Sequence, residues 1–305
     1  MRNSFINETA KFAKKDKEIM MITADLGYGV LKEFYEEIPK QFINCGIAEQ
    51  NMASISAGMA LAGKKPYIYS INNFASLRCI EQIRNDILYH NANVKIITVG
   101  AGFGYGALGM SHHGTEDLSI MRCLPNLIVF SPGDKYEAKR VAELAYRINK
   151  PCYVRLGKGG EKNIHSNKLN FKIGEAIKIV EGDKIAVLST GPIGGIAYDS
   201  VKSLIKKGKS VSFYTFPTIK PIDTKCIKEI ANKHELIVSI EENNIVGGLG
   251  SAVAEIIAED HYKSRLLRIG INDEYVCKVG SQDYLRKIYK IDEQGIVKTI
   301  LKELK

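Results

Sequence analysis

The sequence predicts an α/β protein of two domains, each a mostly parallel sheet flanked by helices. Three observations lead there: short apolar runs alternate with segments of helical length, the alternation stops at one polar, glycine-containing stretch, and it then starts again. With 305 residues, 45% of them hydrophobic and 25% charged, the chain can bury a large core and exceeds one average domain.

In chain order, EIMMIT, QFINC, PYIYS, VKIITVG, NLIVF and CYVRL read as strands. Between the third and fourth, Leu77, Ile80, Ile83 and Ile87 recur at helical spacing and predict a helix over 75–90 that packs on the sheet. GKGGEKNIHSNKLN is polar and aperiodic, so the boundary falls there and the domains are expected at 1–165 and 170–305. The second alternation comprises KIAVLST, a helix over about 193–207, SVSFYTF, a helix near 225–232, ELIVSI, a helix after GGLGSA, and RLLRIG. TFPTIKPID carries two prolines and reads as an extended surface loop.

The N-terminal segment has no apolar h-region and no apolar run is long enough to cross a bilayer, so a cytoplasmic protein without membrane contact is expected. Six dispersed cysteines without a C-x-x-C pair read as reduced and mostly buried, and no metal-ligand set is expected. The formal charge of +9 comes from scattered lysine pairs rather than a basic stripe interleaved with aromatics. This excludes nucleic acid as the expected partner and suits an anionic small substrate or an acidic subunit.

Four features could carry chemistry. In GIAEQNMASISAGMALAG, Glu49 sits where a strand turns into a small-residue helix. The helix dipole favours a first-turn glutamate by about 0.3–1 kcal/mol, and that alone marks nothing more. GAGFGYGALG follows a strand but fits a dinucleotide fingerprint poorly, because no amphipathic helix begins directly after it. It reads as a loop whose backbone can approach a ligand. His112 and His113 end that loop, at the strand end where parallel sheets bind ligands, ahead of a helix that Thr115 can cap. GGLGSA reads as close packing of a helix on its sheet.

Taken together and in order, GIAEQNMASISAGMALAG, QIRNDILY, SHHGTEDLSIMRCLPNL, STGP, PTIKPID and EENNIVGGLGSAVAE resemble the C-terminal half of a transketolase. More closely, they resemble the smaller subunit of transketolases encoded as two chains. The resemblance implies a thiamine diphosphate pyrimidine-binding domain followed by a transketolase C-terminal domain. It implies that Glu49 hydrogen-bonds the far pyrimidine nitrogen and stabilises the imino tautomer that deprotonates the thiazolium carbon. Phe74 would stack on the aminopyrimidine, and Asp25 would lie near the cofactor. His112 would contact the oxygen derived from the donor carbonyl and move protons there. His113 stands where many relatives have glutamine, and Arg155 and Lys158 lie near a family arginine that contacts phosphate.

The departures are informative. Ala107 and Leu108 replace an acidic pair that reads a sugar hydroxyl, Gly100 replaces a histidine, and a phosphate-binding serine is missing near Gly29. Discrimination for the usual sugar phosphates should weaken. The G-D-G…N motif that holds the diphosphate through Mg²⁺ is also absent. A larger N-terminal subunit is therefore expected to supply it, around a dimer core of α2β2 type. The function implied is ketol transfer from a ketose phosphate to an aldehyde, in specialised sugar or surface-polysaccharide biosynthesis. The alternatives are carboligation from a 2-oxo acid donor, as in deoxyxylulose phosphate synthases, and a non-catalytic partner chain.

Overall fold

A computed structural model describes residues 1–305. The first sheet is built from β1 (Ile19–Thr23), β2 (Phe42–Asn44), β3 (Lys65–Ile71), β4 (Lys95–Val99), β5 (Ile128–Phe130) and β6 (Cys152–Leu156). β1, β4 and β6 are buried along their whole length, which is why they read as continuous apolar runs rather than alternating ones. The second sheet contains β7 (Ile177–Val180), β8 (Ile185–Thr190), β9 (Val211–Thr215), β11 (Leu236–Asn244) and β12 (Arg265–Ile271).

The one remaining strand, β10 (Thr218–Lys220), joins the first sheet, whose spatial order is β10-β5-β6-β4-β3-β1-β2. Every pair in it is parallel except β10 with β5, which is antiparallel. Thr218 faces Phe130, and Ser131 N–H donates to Pro217 O. TFPTIKPID is therefore not the expected surface loop. Its two prolines tolerate an edge position, where one side of the backbone needs no ladder, and Thr218 and Ile219 are buried. In the second sheet, order β12-β11-β8-β9-β7, only the β7–β9 pair is antiparallel.

Two local expectations differ from the structure. Residues 75–90 do not form one regular helix. Ser76 leaves helical space (φ −116°, ψ −81°), and the chain continues through short turns into a π-helical segment, Ile83–Leu88. Ile83 and Ile87 are still buried, as their spacing required. Of the cysteines, only Cys79 and Cys152 are buried; Cys45 and Cys226 are partly exposed, and Cys123 and Cys277 are exposed. The polar N-terminal segment is a helix (Arg2–Ala13) whose Phe5, Ile6, Ala10 and Ala13 face inward. It packs on the helix Lys135–Arg147, with Phe12 stacked on Tyr146 at 4.4 Å. No helix is long and apolar enough to cross a membrane.

Candidate active site

Because β1 to β6 run parallel, their following loops share one edge. Asp25 follows β1, Glu49 follows β2, Phe74 follows β3, the loop carrying His112 follows β4 and Lys158 follows β6. Residues far apart in sequence thus meet at the carboxyl ends of the strands.

Glu49 opens the helix Glu49–Leu61 and is only 3% exposed. A carboxylate buried to that extent needs a partner, and Arg78 Nη1 supplies one at 2.7 Å. The same guanidinium lies over the Phe74 ring, 4.2 Å from its centroid. Phe74 meets His112 edge-on at 5.0 Å, His112 meets Tyr105 at 6.3 Å, and Lys158 Nζ lies 4.7 Å over Tyr105. Glu49, Arg78, Phe74, His112, Tyr105 and Lys158 therefore form one strip, each touching the next.

Asp25 joins this edge through its turn. It has φ +53°, accepts from Tyr28 Oη at 2.7 Å and from Asn44 Nδ2 at 3.1 Å, and its N–H donates to Asn44 Oδ1. Those hydrogen bonds, Tyr28 first, hold its carboxyl below the usual range. Gly46 N–H donates to the same Asn44 oxygen, which couples the Asp25 turn to the turn preceding Glu49.

His112 is partly exposed. Its Nδ1 is hydrogen-bonded to Ser111 Oγ at 2.9 Å, and Nε2 has no protein partner. Burial first, then the His113 and Arg78 charges, lower its pKa, so the ring is neutral at pH 7. Asn73 Nδ2 donates to the carbonyls of Ser111 and His113, at 3.2 and 2.7 Å, and so pins the segment on both sides of His112.

Two expected substrate contacts lie elsewhere. His113 is buried against Phe103, and its Nε2–H donates to Gly106 O at 3.2 Å. It faces inward while its neighbour faces the edge. Arg155 is wholly buried: Nε donates to both Asp117 oxygens (2.9 and 3.1 Å), and Nη2 donates to Gly114 O at 2.6 Å and Glu242 O at 3.0 Å. This corrects the expectation that it meets a substrate anion. Arg155 instead positions the loop two residues past His112. Asp117 also accepts from Tyr153 Oη and Asn72 Nδ2, which ties in the segment bearing Phe74. The helix Asp117–Cys123 has Glu116, not Thr115, at its N-cap, and no side chain caps it.

The glycine-rich loop closes on protein rather than offering backbone to a ligand. Gly102 and Gly114 exchange backbone hydrogen bonds, and a Cβ on Gly102 would fall 2.5 Å from Glu242 Cγ. Glu242 accepts from Phe103 N–H and pairs with Arg286. At Gly100 (φ +91°) a Cβ would come within 2.1 Å of the Tyr105 ring. Tyr105 therefore fills the space a side chain at position 100 would take. Sequence reasoning did not single out Arg78, Tyr105 or Asn73; the glycine at position 100 was the one available signal, since a missing side chain has to be replaced by something.

A buried carboxylate and an aromatic face, linked through Arg78, fit the aminopyrimidine end of thiamine diphosphate, which Glu49 and Phe74 would hold. Comparison with known proteins identifies the family. The family described as transketolase, pyrimidine binding domain, matches residues 1–160, and transketolase, C-terminal domain, matches residues 174–296. The chain is 37% identical to a protein described as a transketolase C-terminal section from Methanocaldococcus jannaschii, covering 100% of this chain and 96% of that one. It is 34% identical to an apulose-4-phosphate transketolase subunit from Phocaeicola vulgatus, covering 100% and 97%. A solved structure of a split-gene transketolase, in an inactive β4 tetramer, superposes with TM-score 0.88 and 31% identity, covering 99% and 96%.

Proposed function

Since the chain belongs to the transketolase family, we propose that it is the small subunit of a split, thiamine diphosphate-dependent enzyme that transfers a two-carbon ketol unit from a ketose to an aldehyde. The observation that carries this reading is the strip from buried Glu49 through Phe74 and His112 to Lys158 at one sheet edge. The match over nearly the whole length of a relative that is itself one subunit of a transketolase supports the role of one chain in a two-chain enzyme.

When bound, the cofactor supplies a carbon nucleophile for the donor carbonyl. Glu49 would hydrogen-bond the far pyrimidine nitrogen from its buried position in the first turn of its helix. Phe74 carries one ring face. His112, neutral at pH 7 with Nε2 unengaged, takes or returns a proton at the oxygen derived from that carbonyl. Lys158 meets an anionic substrate group, and Asp25 shapes the wall nearest Glu49. With Ala107, Leu108 and Gly100 in place of polar residues, Tyr105 lines the substrate side instead. A phosphorylated ketose of unusual shape suits that wall, in specialised sugar or surface-polysaccharide biosynthesis.

The diphosphate and Mg²⁺ fall to a larger subunit, in an α2β2 assembly in the cytoplasm, with this chain divided at 1–165 and 170–305. Exposed Tyr28 (75%) and Ile47 (80%) beside Asp25 and Glu49 suit a subunit interface there. The test is to tag the chain in its native cells and isolate what accompanies it. A stoichiometric partner with G-D-G…N, and a complex that consumes ketose phosphates but not pyruvate, is the expected result. Pyruvate consumption moves the enzyme to 2-oxo acid carboligation, and a chain that recovers no such partner overturns the split-enzyme reading.

A further inference from the structure

We propose that Arg78 occupies the aminopyrimidine's seat in the cofactor-free chain and that only a ligand able to replace both of its contacts can enter. The inference rests on the cofactor reading above and adds to it a residue that the motif blocks gave no role.

Arg78 makes two contacts at once: Nη1 donates to Glu49 Oε2 at 2.7 Å, and its guanidinium carbon lies 4.2 Å from the Phe74 centroid. A guanidinium is planar, donates N–H bonds in its plane and stacks through its face. An aminopyrimidine held by Glu49 and Phe74 would use the same two properties against the same two residues. Arg78 takes Glu49 Oε2 and lies over one face of Phe74, so a ring seated on that same oxygen and that same face displaces the side chain as it arrives. The Arg78 side chain is free to leave, because it is 44% exposed and its two contacts at the seat are the ones described.

The exchange explains how a carboxylate 3% exposed is tolerated without cofactor. Arg78 neutralises it until the ligand takes over. It also selects. A sugar hydroxyl can donate to Glu49 but offers no face to Phe74, whereas an apolar ring covers Phe74 and leaves Glu49 buried and uncompensated. A planar ring with an N–H donor in its plane satisfies both. The broken helix supplies the geometry, since Ser76 departs from helical space between Phe74 and Arg78, and Arg78, four residues after Phe74, lies over its ring.

The experiment measures thiamine diphosphate binding by calorimetry on the native complex, comparing wild type with Arg78→Ala and Arg78→Lys. Removing a cation–π contact and a part-exposed ion pair should lower Kd by about 3- to 30-fold in Arg78→Ala. Arg78→Lys keeps the ion pair without the planar stack and should fall between, which keeps the question answerable if the alanine variant folds poorly. Guanidinium ion at low, non-denaturing concentration should weaken binding to Arg78→Ala more than sodium does at equal ionic strength, by refilling the vacated seat. An unchanged or raised Kd in both variants, with melting temperatures like wild type, overturns the proposal while leaving the cofactor reading intact. A wild-type complex that binds no thiamine diphosphate overturns both.

Discussion

Glu49 has one side-chain partner, and that partner comes from the 3-10 turn Leu77–Cys79 rather than from its own helix. Replacing it with alanine removes a charge the fold does not otherwise require, so Glu49→Ala should keep the melting temperature within a few degrees while turnover of the reconstituted complex drops at least about 100-fold. Unchanged turnover would remove Glu49 from the chemistry. His112 gives a pH signature. Burial and the neighbouring His113 and Arg78 charges hold its pKa below the ordinary 6.5, so the neutral ring persists at slightly acid pH. Activity should therefore fall only as pH drops below about 6.5, and His112→Gln should flatten that acid limb along with most of the rate. Individual residues were the least legible scale. Sequence context marked Glu49, Phe74 and His112, and the structure brings them together, but nothing in the adjacent letters says that His112 faces out while His113 faces Phe103. The His113 ring is held by Gly106 O and Phe103, and its carbonyl by Asn73, forty residues upstream in the chain.

At the level of elements, the loop after β4 is set by a buried ionic hub. Asp117 accepts from Arg155, Tyr153 and Asn72, and Arg155 passes the constraint to Gly114 O and Glu242 O. Removing one charge of such a pair leaves the other uncompensated in the interior, at a cost of about 3–5 kcal/mol. Asp117→Asn should lower unfolding stability by about that much in a denaturant titration. It should also reduce kcat, because the segments carrying Phe74 and His112 both hang on this carboxylate. A loss of stability with catalysis intact would show that the hub does not position the site. Strands were easy to read because burial on both faces makes them continuous apolar runs, as in β4 and β6. Arg155 misled because it was singled out by its nearness to a family arginine that contacts phosphate, and its carboxylate partner lies 38 residues away, where no local pattern shows it. The glycines of the loop misled too, since Gly100 and Gly102 make room for Tyr105 and Glu242 rather than for a ligand.

Over the whole molecule, the two sheets are joined by more than the linker. β10 leaves the second alternation to edge the first sheet, which no local pattern in TFPTIKPID announces, because an edge strand's partner is chosen by the rest of the fold. A second clamp starts at the helix Lys135–Arg147. Asp134 caps it and also accepts from the N–H groups of Ile164 and His165, so the cap fastens the linker. Glu137, in its first turn, accepts from Gly133 N–H, from His165 Nε2 at 2.8 Å and from Thr215 Oγ1 of the second sheet at 2.6 Å. This arrangement should make stability depend on pH through His165. Burial pushes its pKa down, but the hydrogen bond and charge of Glu137 outweigh burial and raise it above 6.5. A histidine that binds its proton more tightly when folded stabilises fully below the unfolded value of about 6.5, and that stabilisation is lost as pH rises through the folded value. His165→Gln can still donate to Glu137 but never carries the charge. The variant should therefore be less stable than wild type by on the order of 1 kcal/mol at pH 6, and the gap should close toward pH 9. A difference independent of pH would mean that the clamp works by shape and hydrogen bonding alone, and that the charge on His165 contributes nothing to holding the two sheets together.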